Sequence, residues 1–340
     1  MPAPPPDIVA QDPGASEAEA RSARPAAAVD GGASVSAPVL VHVGYHKTGT
    51  TWFQRNLFTA THGYTQLLDH DEVFVGIVQP HSLHFDPEAV AARIRERLAA
   101  VPADCYPVIS SEILSGNPFY GGRESEVYAQ RLARLMPQAR ILITIREQIS
   151  AIASTYMQYL RRGGTKRPEQ FFTERAVAGY SAFDPAHFEY DRLVAHYMEL
   201  FGADRVHVET NEALAQDPAA LATRLADFVG QPAPSGVNSG RVAPSAPEVA
   251  VPVLRRLNHL RAGPASTATA INLGEFGLLL YRGAAKVYTL SAQRRAGSGS
   301  RRRPVRALAE AQFGGRFAES NRRLASLAGG VLDLSRYEGT

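Results

Sequence analysis

The chain has 340 residues, 45% of them hydrophobic, enough to bury one large core or two modest ones. Its formal net charge of +3 is too small for a nucleic-acid-binding protein, and a single cysteine, Cys105, excludes a disulfide framework and a cysteine metal cluster. No run approaches roughly eighteen apolar residues without a charge, which argues against a spanning helix. The first residues lack the basic start and apolar segment of a signal peptide, so the cytoplasm is the expected compartment.

Residues 1–38 are rich in Ala, Pro, Gly and Ser, lack aromatics and read as a disordered tail, with one folded domain over 39–340. A strand is predicted over 39–44, then a turn holding Lys47, Thr48, Gly49, Thr50 and Thr51, then a helix over 50–59. A helix over 87–100 and a strand over 106–110 follow, the strand ending in Ser110, Ser111 and Glu112. A helix over 124–136 leads to an apolar strand over 140–145 that ends on Arg146; the helix after it, 147–162, carries Ser154. Helix 187–201, strand 205–209 and helix 218–229 complete the series, Asp217-Pro218 supplying an N-cap and a first-turn proline. Such alternation predicts an α/β fold, a mainly parallel central sheet with helices on both faces. No internal repeat is visible.

Toward the C-terminus, 271–290 is apolar but interrupted, and six arginines lie in 293–306. Two readings stand side by side. One is a core helix followed by a solvated loop. The other is an apolar surface helix that, with the arginines, makes peripheral contact with the inner face of an anionic membrane through 271–306.

The turn after the first strand carries its own chemistry. A strand, a glycine-containing turn and a helix N-terminus aim unpaired backbone N–H groups and the positive end of the helix dipole at one spot. Thr48, Thr50 and Thr51 add hydroxyl donors and Lys47 a point charge, which makes a cradle for phosphate or sulfate. It is not a Walker A loop, in which the lysine follows the last glycine; here Lys47 precedes Gly49 and the next basic residue is Arg55.

The sequence H-K-T-G-T-T-W from His46 to Trp52 resembles the 5′-phosphosulfate loop of sulfotransferases that use 3′-phosphoadenosine 5′-phosphosulfate (PAPS), with His46 where that family often has proline. The resemblance implies a P-loop-like sulfotransferase architecture. It also implies that Arg146 and Ser154, a strand-ending arginine and a serine eight residues on, bind the 3′-phosphate, although Glu147 and Gln148 replace the usual Asn-Pro. By the same likeness Trp52 stacks on adenine, the alternative being a plain core position. Arg294 and Arg295, with Gly297, stand for the family's basic C-terminal loop, though the match to its usual form is poor. Weaker similarity to bacterial members runs through 159–172, 201–218 and 320–325. Arg161 and Arg162 in that stretch are read either as contacts to an anion or as a solvated helix end.

Sulfonate transfer to an alcohol needs a base, because the hydroxyl is otherwise a poor nucleophile. The family places a catalytic His or Glu at the end of a strand, and S-S-E looks like the bacterial form, which makes Glu112 the candidate. His46, kept neutral by Lys47 beside it, is the rival; His42 alternates inward and is expected to be packed. Lys47 is expected to stabilise charge on the leaving phosphate without a metal. The expected partners are therefore PAPS and a hydroxyl-bearing acceptor, whether carbohydrate, glycolipid or small molecule. An ATP-dependent phosphotransferase and a non-catalytic nucleotide-binding module are the alternatives, and the oligomeric state is open.

Overall fold

The computed structural model describes residues 34–175, 182–238, 246–266, 271–294, 303–330 and 332–337. Five strands, β1 (Leu40–Gly44), β2 (Tyr64–Leu68), β3 (Tyr106–Ser110), β4 (Arg140–Ile145) and β5 (Val206–Thr210), form one sheet in the order β2-β3-β1-β4-β5. Every pairing is parallel, with His42 level with Ser110 on one side and Leu142 on the other. The expected α/β fold with a central parallel sheet is the fold observed.

The helices in chain order are α1 (Thr50–Trp52), widened into a π turn over Phe53–Leu57, α2 (His70–Val73), α3 (Pro87–Leu98), α4 (Ser125–Leu135), α5 (Gln148–Arg161) and α6 (Pro168–Thr173). They continue as α7 (Tyr190–Phe201), α8 (Asn211–Gln216), α9 (Pro218–Val229), α10 (Val251–Asn258), α11 (Gly274–Arg294), α12 (Pro304–Phe313) and α13 (Ala318–Leu327). Asp217 caps α9 as expected, its Oδ1 accepting from Ala220 N at 2.9 Å with Pro218 in the first turn.

Both faces of the sheet are covered, so the central strands are buried and mostly apolar rather than alternating, with His42 on β1 and Thr144 on β4 as buried polar exceptions. Val41, Val43, Ile141, Ile143 and Ile145 join one buried cluster with residues of α4, α5 and α7. Leu40, Val108 and Leu142 face the other way, onto Phe53, Leu57 and the helices α8 and α9. Packing begins ahead of β1: Val35 is buried and its N–H donates to the Leu135 carbonyl at 2.7 Å.

The strand order positions the site. From β1 the chain builds β2 and β3 to one side, then crosses to build β4 and β5 on the other. The gap between the carboxyl ends of β1 and β4 is thus a topological switch point, where open α/β sheets bind ligands. Lys47 follows β1 and Arg146 follows β4.

Candidate active site

The turn after β1 is held in an unusual shape. Lys47 has φ 70°, the only non-glycine residue with positive φ among those described, and Gly49 has φ 102°. A left-handed lysine costs on the order of 1–3 kcal/mol, and such strain clusters at ligand sites. At Gly49 the need is double, because a Cβ would also lie 2.6 Å from Leu214 Cδ2 in the buried cluster beneath. Gly49→Ala is therefore expected to destabilise the fold by about 1–3 kcal/mol, read as a lower urea midpoint; an unchanged midpoint would show that the turn tolerates another shape.

A buried hydrogen-bond network fastens this turn to the sheet. His42 lies between β3 and β4, its Nδ1 2.9 Å from Ser110 Oγ and its Nε2 3.0 Å from Thr144 Oγ1. Thr144 Oγ1 is 2.7 Å from Thr48 Oγ1, which donates to the Tyr45 carbonyl at 2.6 Å. This bears out His42 as a packed residue; burial holds its pKa down at about 3. It also corrects the expectation for Thr48. Its side chain is fully buried, and its hydroxyl serves the network under the turn rather than an anion above it.

The remaining donors lie where an anion would sit. Gly49 carries no capping side chain, so the first N–H groups of α1 have no intrahelical acceptor. Thr51 is exposed in that first turn, while Thr50 Oγ1 is buried against Gly44 without a partner. A buried hydroxyl left unmet costs about 1–3 kcal/mol, which an oxyanion ligand would recover. Trp52 is 5% exposed within the lower cluster, and its indole N–H donates to the Asn238 carbonyl at 3.0 Å. Packing accounts for its position without an adenine.

Arg146 reaches the same turn, its Nη1 donating to the Lys47 carbonyl at 3.3 Å, and its own carbonyl is held by Tyr190 OH at 2.8 Å. Glu147, which replaces the Asn-Pro of the resembled family, caps α5. Its carboxylate accepts from Ile149 N and Ser150 N at 3.0 Å each and pairs with Arg306 Nη1 at 3.0 Å. The departure therefore firms the helix start. Ser154 is half-buried on α5, about one and a half turns beyond the first residue of the helix, and its hydroxyl is unpartnered among the described residues.

Electrostatics gather further groups. Lys47 is half-buried and its pKa is lowered, first by burial and then by the positive charges of Arg161 and Arg146, with Glu112 acting in the opposite sense. Glu112 begins the 3₁₀ turn after β3, half-buried, and its carboxylate makes no ion pair or hydrogen bond among the described residues. His46 is 7% exposed with Nδ1 unpartnered; burial, then His187, Arg162, His70 and Lys47, lowers its pKa to about 3.

Sequence reasoning left Arg161 and Arg162 undecided. They are exposed at the end of α5, yet their charges act on Lys47 and His46, and Arg162 lies over the Phe119 ring at 5.5 Å. It missed His70, whose Nδ1 is 3.1 Å from Ser111 Oγ, and His187, whose ring is 4.9 Å from Tyr45. His70 follows a strand that itself went unrecognised. Arg294 ends α11, exposed, and no described contact brings it to Lys47; Arg295 and Gly297 lie outside the described residues.

Comparison with known proteins agrees with this architecture. A family model described as "Sulfotransferase family" matches residues 123–235, a segment that includes Arg146 and Ser154 but not the Lys47 turn. A sulfotransferase from Alicyclobacillus acidocaldarius is 19% identical with a TM-score of 0.53, the match covering 89% of this chain and 99% of that one. The sulfotransferase domain of the Synechococcus PCC 7002 olefin synthase is 15% identical over 75% of this chain and 96% of that one, TM-score 0.38. Mouse sulfotransferase SULT7A1 complexed with PAP is 14% identical over 86% of this chain and 88% of that one, TM-score 0.33. Only the first superposes closely enough to establish a shared fold. No curated protein matches the chain.

Proposed function

We propose that this chain, whose residues 123–235 match a sulfotransferase family model and whose fold is shared with a sulfotransferase, moves a sulfonate from PAPS to the hydroxyl of a carbohydrate, glycolipid or small-molecule acceptor. The observation that carries the reading is the meeting of Lys47 and Arg146 at the β1–β4 switch point, close enough for a hydrogen bond between them. The strained lysine, the uncapped α1 terminus and the unmet Thr50 hydroxyl fit the phosphosulfate end of such a donor. Arg146 suits the 3′-phosphate because its planar fork can hold two oxygens, with Ser154 as a second donor from α5.

The donor supplies an activated sulfonate on a phosphosulfate anhydride. Lys47 and the α1 N–H groups hold the charge that grows on the bridging oxygen as its bond to sulfur breaks. Glu112 takes the acceptor's hydroxyl proton as that oxygen bonds to sulfur, and the adenosine bisphosphate departs. Glu112 is preferred to His46 because His46 is enclosed, with burial and the charges of Arg162 and Lys47 opposing its taking a proton, whereas the Glu112 carboxylate is only half-buried at the end of β3 and unpartnered among the described residues.

Calorimetric titration with adenosine 3′,5′-bisphosphate, ADP and ATP tests the donor. Binding of the bisphosphate is expected to be at least about tenfold tighter than that of either 5′-nucleotide, since only it satisfies both basic groups. Arg146→Ala should remove that preference. ATP binding as tight as the bisphosphate would instead favour the phosphotransferase reading.

A further inference from the structure

Helix α11 presents an apolar stripe that none of the described residues covers. Phe276, Leu279, Leu280, Val287 and Leu290 are exposed, three of them by 58–64%, and with Gly283 between them they recur at helical period along one side. Ile271 and Leu273, just before the helix, are exposed too. The opposite side is the packed one, where Tyr281 and Tyr288 rest against Ala250 and Leu254 and the Arg261 guanidinium stacks on Tyr281 at 4.3 Å. The helix is therefore no core helix, as one sequence reading had it. Its 21 residues extend about 31 Å with an apolar ridge facing outward. A ridge of this length exceeds the scattered apolar exposure of ordinary surfaces.

Charge decides what it suits. Arg282 and Lys286 are exposed along one flank, Arg294 ends the helix, and Glu275 is the helix's single acidic residue. In sequence, Arg295, Arg301, Arg302 and Arg303 come next. A second copy docked on the ridge by two-fold symmetry would set Arg282 and Lys286 close to their own counterparts. An anionic lipid surface would meet the same flank with opposite charge while the ridge enters the headgroup boundary. No helix of the described residues is long and apolar enough to cross a bilayer, so the geometry is that of a helix lying in the interface.

We propose that α11 is an interfacial membrane-binding helix that docks the protein on anionic bilayers. The docking proposal stands on α11 alone and survives if the sulfotransferase reading fails.

The test is co-sedimentation of the 340-residue chain with phosphatidylcholine vesicles, with and without phosphatidylglycerol, at low and high salt. Binding is expected only with phosphatidylglycerol and weakened by salt. It should fall about tenfold or more in Phe276→Ser/Leu279→Ser, and about tenfold in Arg282→Ala/Lys286→Ala. All four side chains are exposed, so circular dichroism should confirm an intact fold. Absent binding to phosphatidylglycerol vesicles, or equal binding by the serine variant, overturns the proposal. So does a wild-type dimer that ignores vesicles and that the serine variant dissociates, because a second copy would then cover the ridge.

Discussion

Glu112→Gln is expected to lower the sulfonate-transfer rate by roughly 10²–10⁴-fold, the usual range for loss of a general base. Affinity for adenosine 3′,5′-bisphosphate should stay within about twofold, because Lys47 and Arg146 are untouched. The substitution is nearly isosteric, and the carboxylate makes no hydrogen bond or ion pair among the described residues, so stability should hold. Single-turnover rates and calorimetry read the two quantities separately. His46→Gln serves as the counterpart. If Glu112→Gln turns over normally and His46→Gln does not, the proton goes to the histidine, and its burial must be relieved when ligands bind.

A steep loss of stability between pH 6.5 and 5 is the second large effect expected. His42 and His46 are held near pKa 3 and His187 near 4, in each case chiefly by burial. All three stay neutral in the folded protein while the unfolded chain takes up protons with pKa near 6.5. Where the unfolded state binds more protons, stability falls as the pH falls. Above pH 6.5 both states are neutral and the histidines cost nothing. By pH 5 each costs on the order of 2 kcal/mol, so the three together remove about 6 kcal/mol. That is comparable to the whole stability of many domains. Carboxylates remain largely ionised in this window, which isolates the histidine effect. Urea midpoints measured at pH 7 and 5 provide the check; equal midpoints would mean that the rings are solvated.

The central strands were legible because strands buried on both faces are written as near-continuous apolar runs, as in Ile141 to Ile145, where Thr144 is the one polar residue. Strand β2 was not. Thr65 and Gln66 interrupt its apolar residues, it lies at the sheet edge, and its register shifts between Gln66 and Leu68. The α1 turn could be read as an anion cradle from its residue types, but the direction of each hydroxyl could not. The left-handed Lys47 and the position of Thr144 on another strand send Thr48 downward, and neither is a local property. Arg161 and Arg162 eluded the reading for a related reason, since only the path of α5 decides what their long side chains face. On α11 the sequence showed apolar residues; which of two apolar sides is covered depended on α10.

Long-range locks on α5 set a limit on when the site can mature. Gln148, the first residue of that helix, donates to Asn321 Oδ1 at 2.6 Å across 173 positions, and Glu147 is paired with Arg306 across 159. During synthesis, β1 and β4 leave the ribosome long before these partners do. The helix beginning beside Arg146 therefore lacks its final clamps until Arg306 and Asn321 have emerged, and a ribosome-bound fragment ending near residue 300 should carry a loosened site.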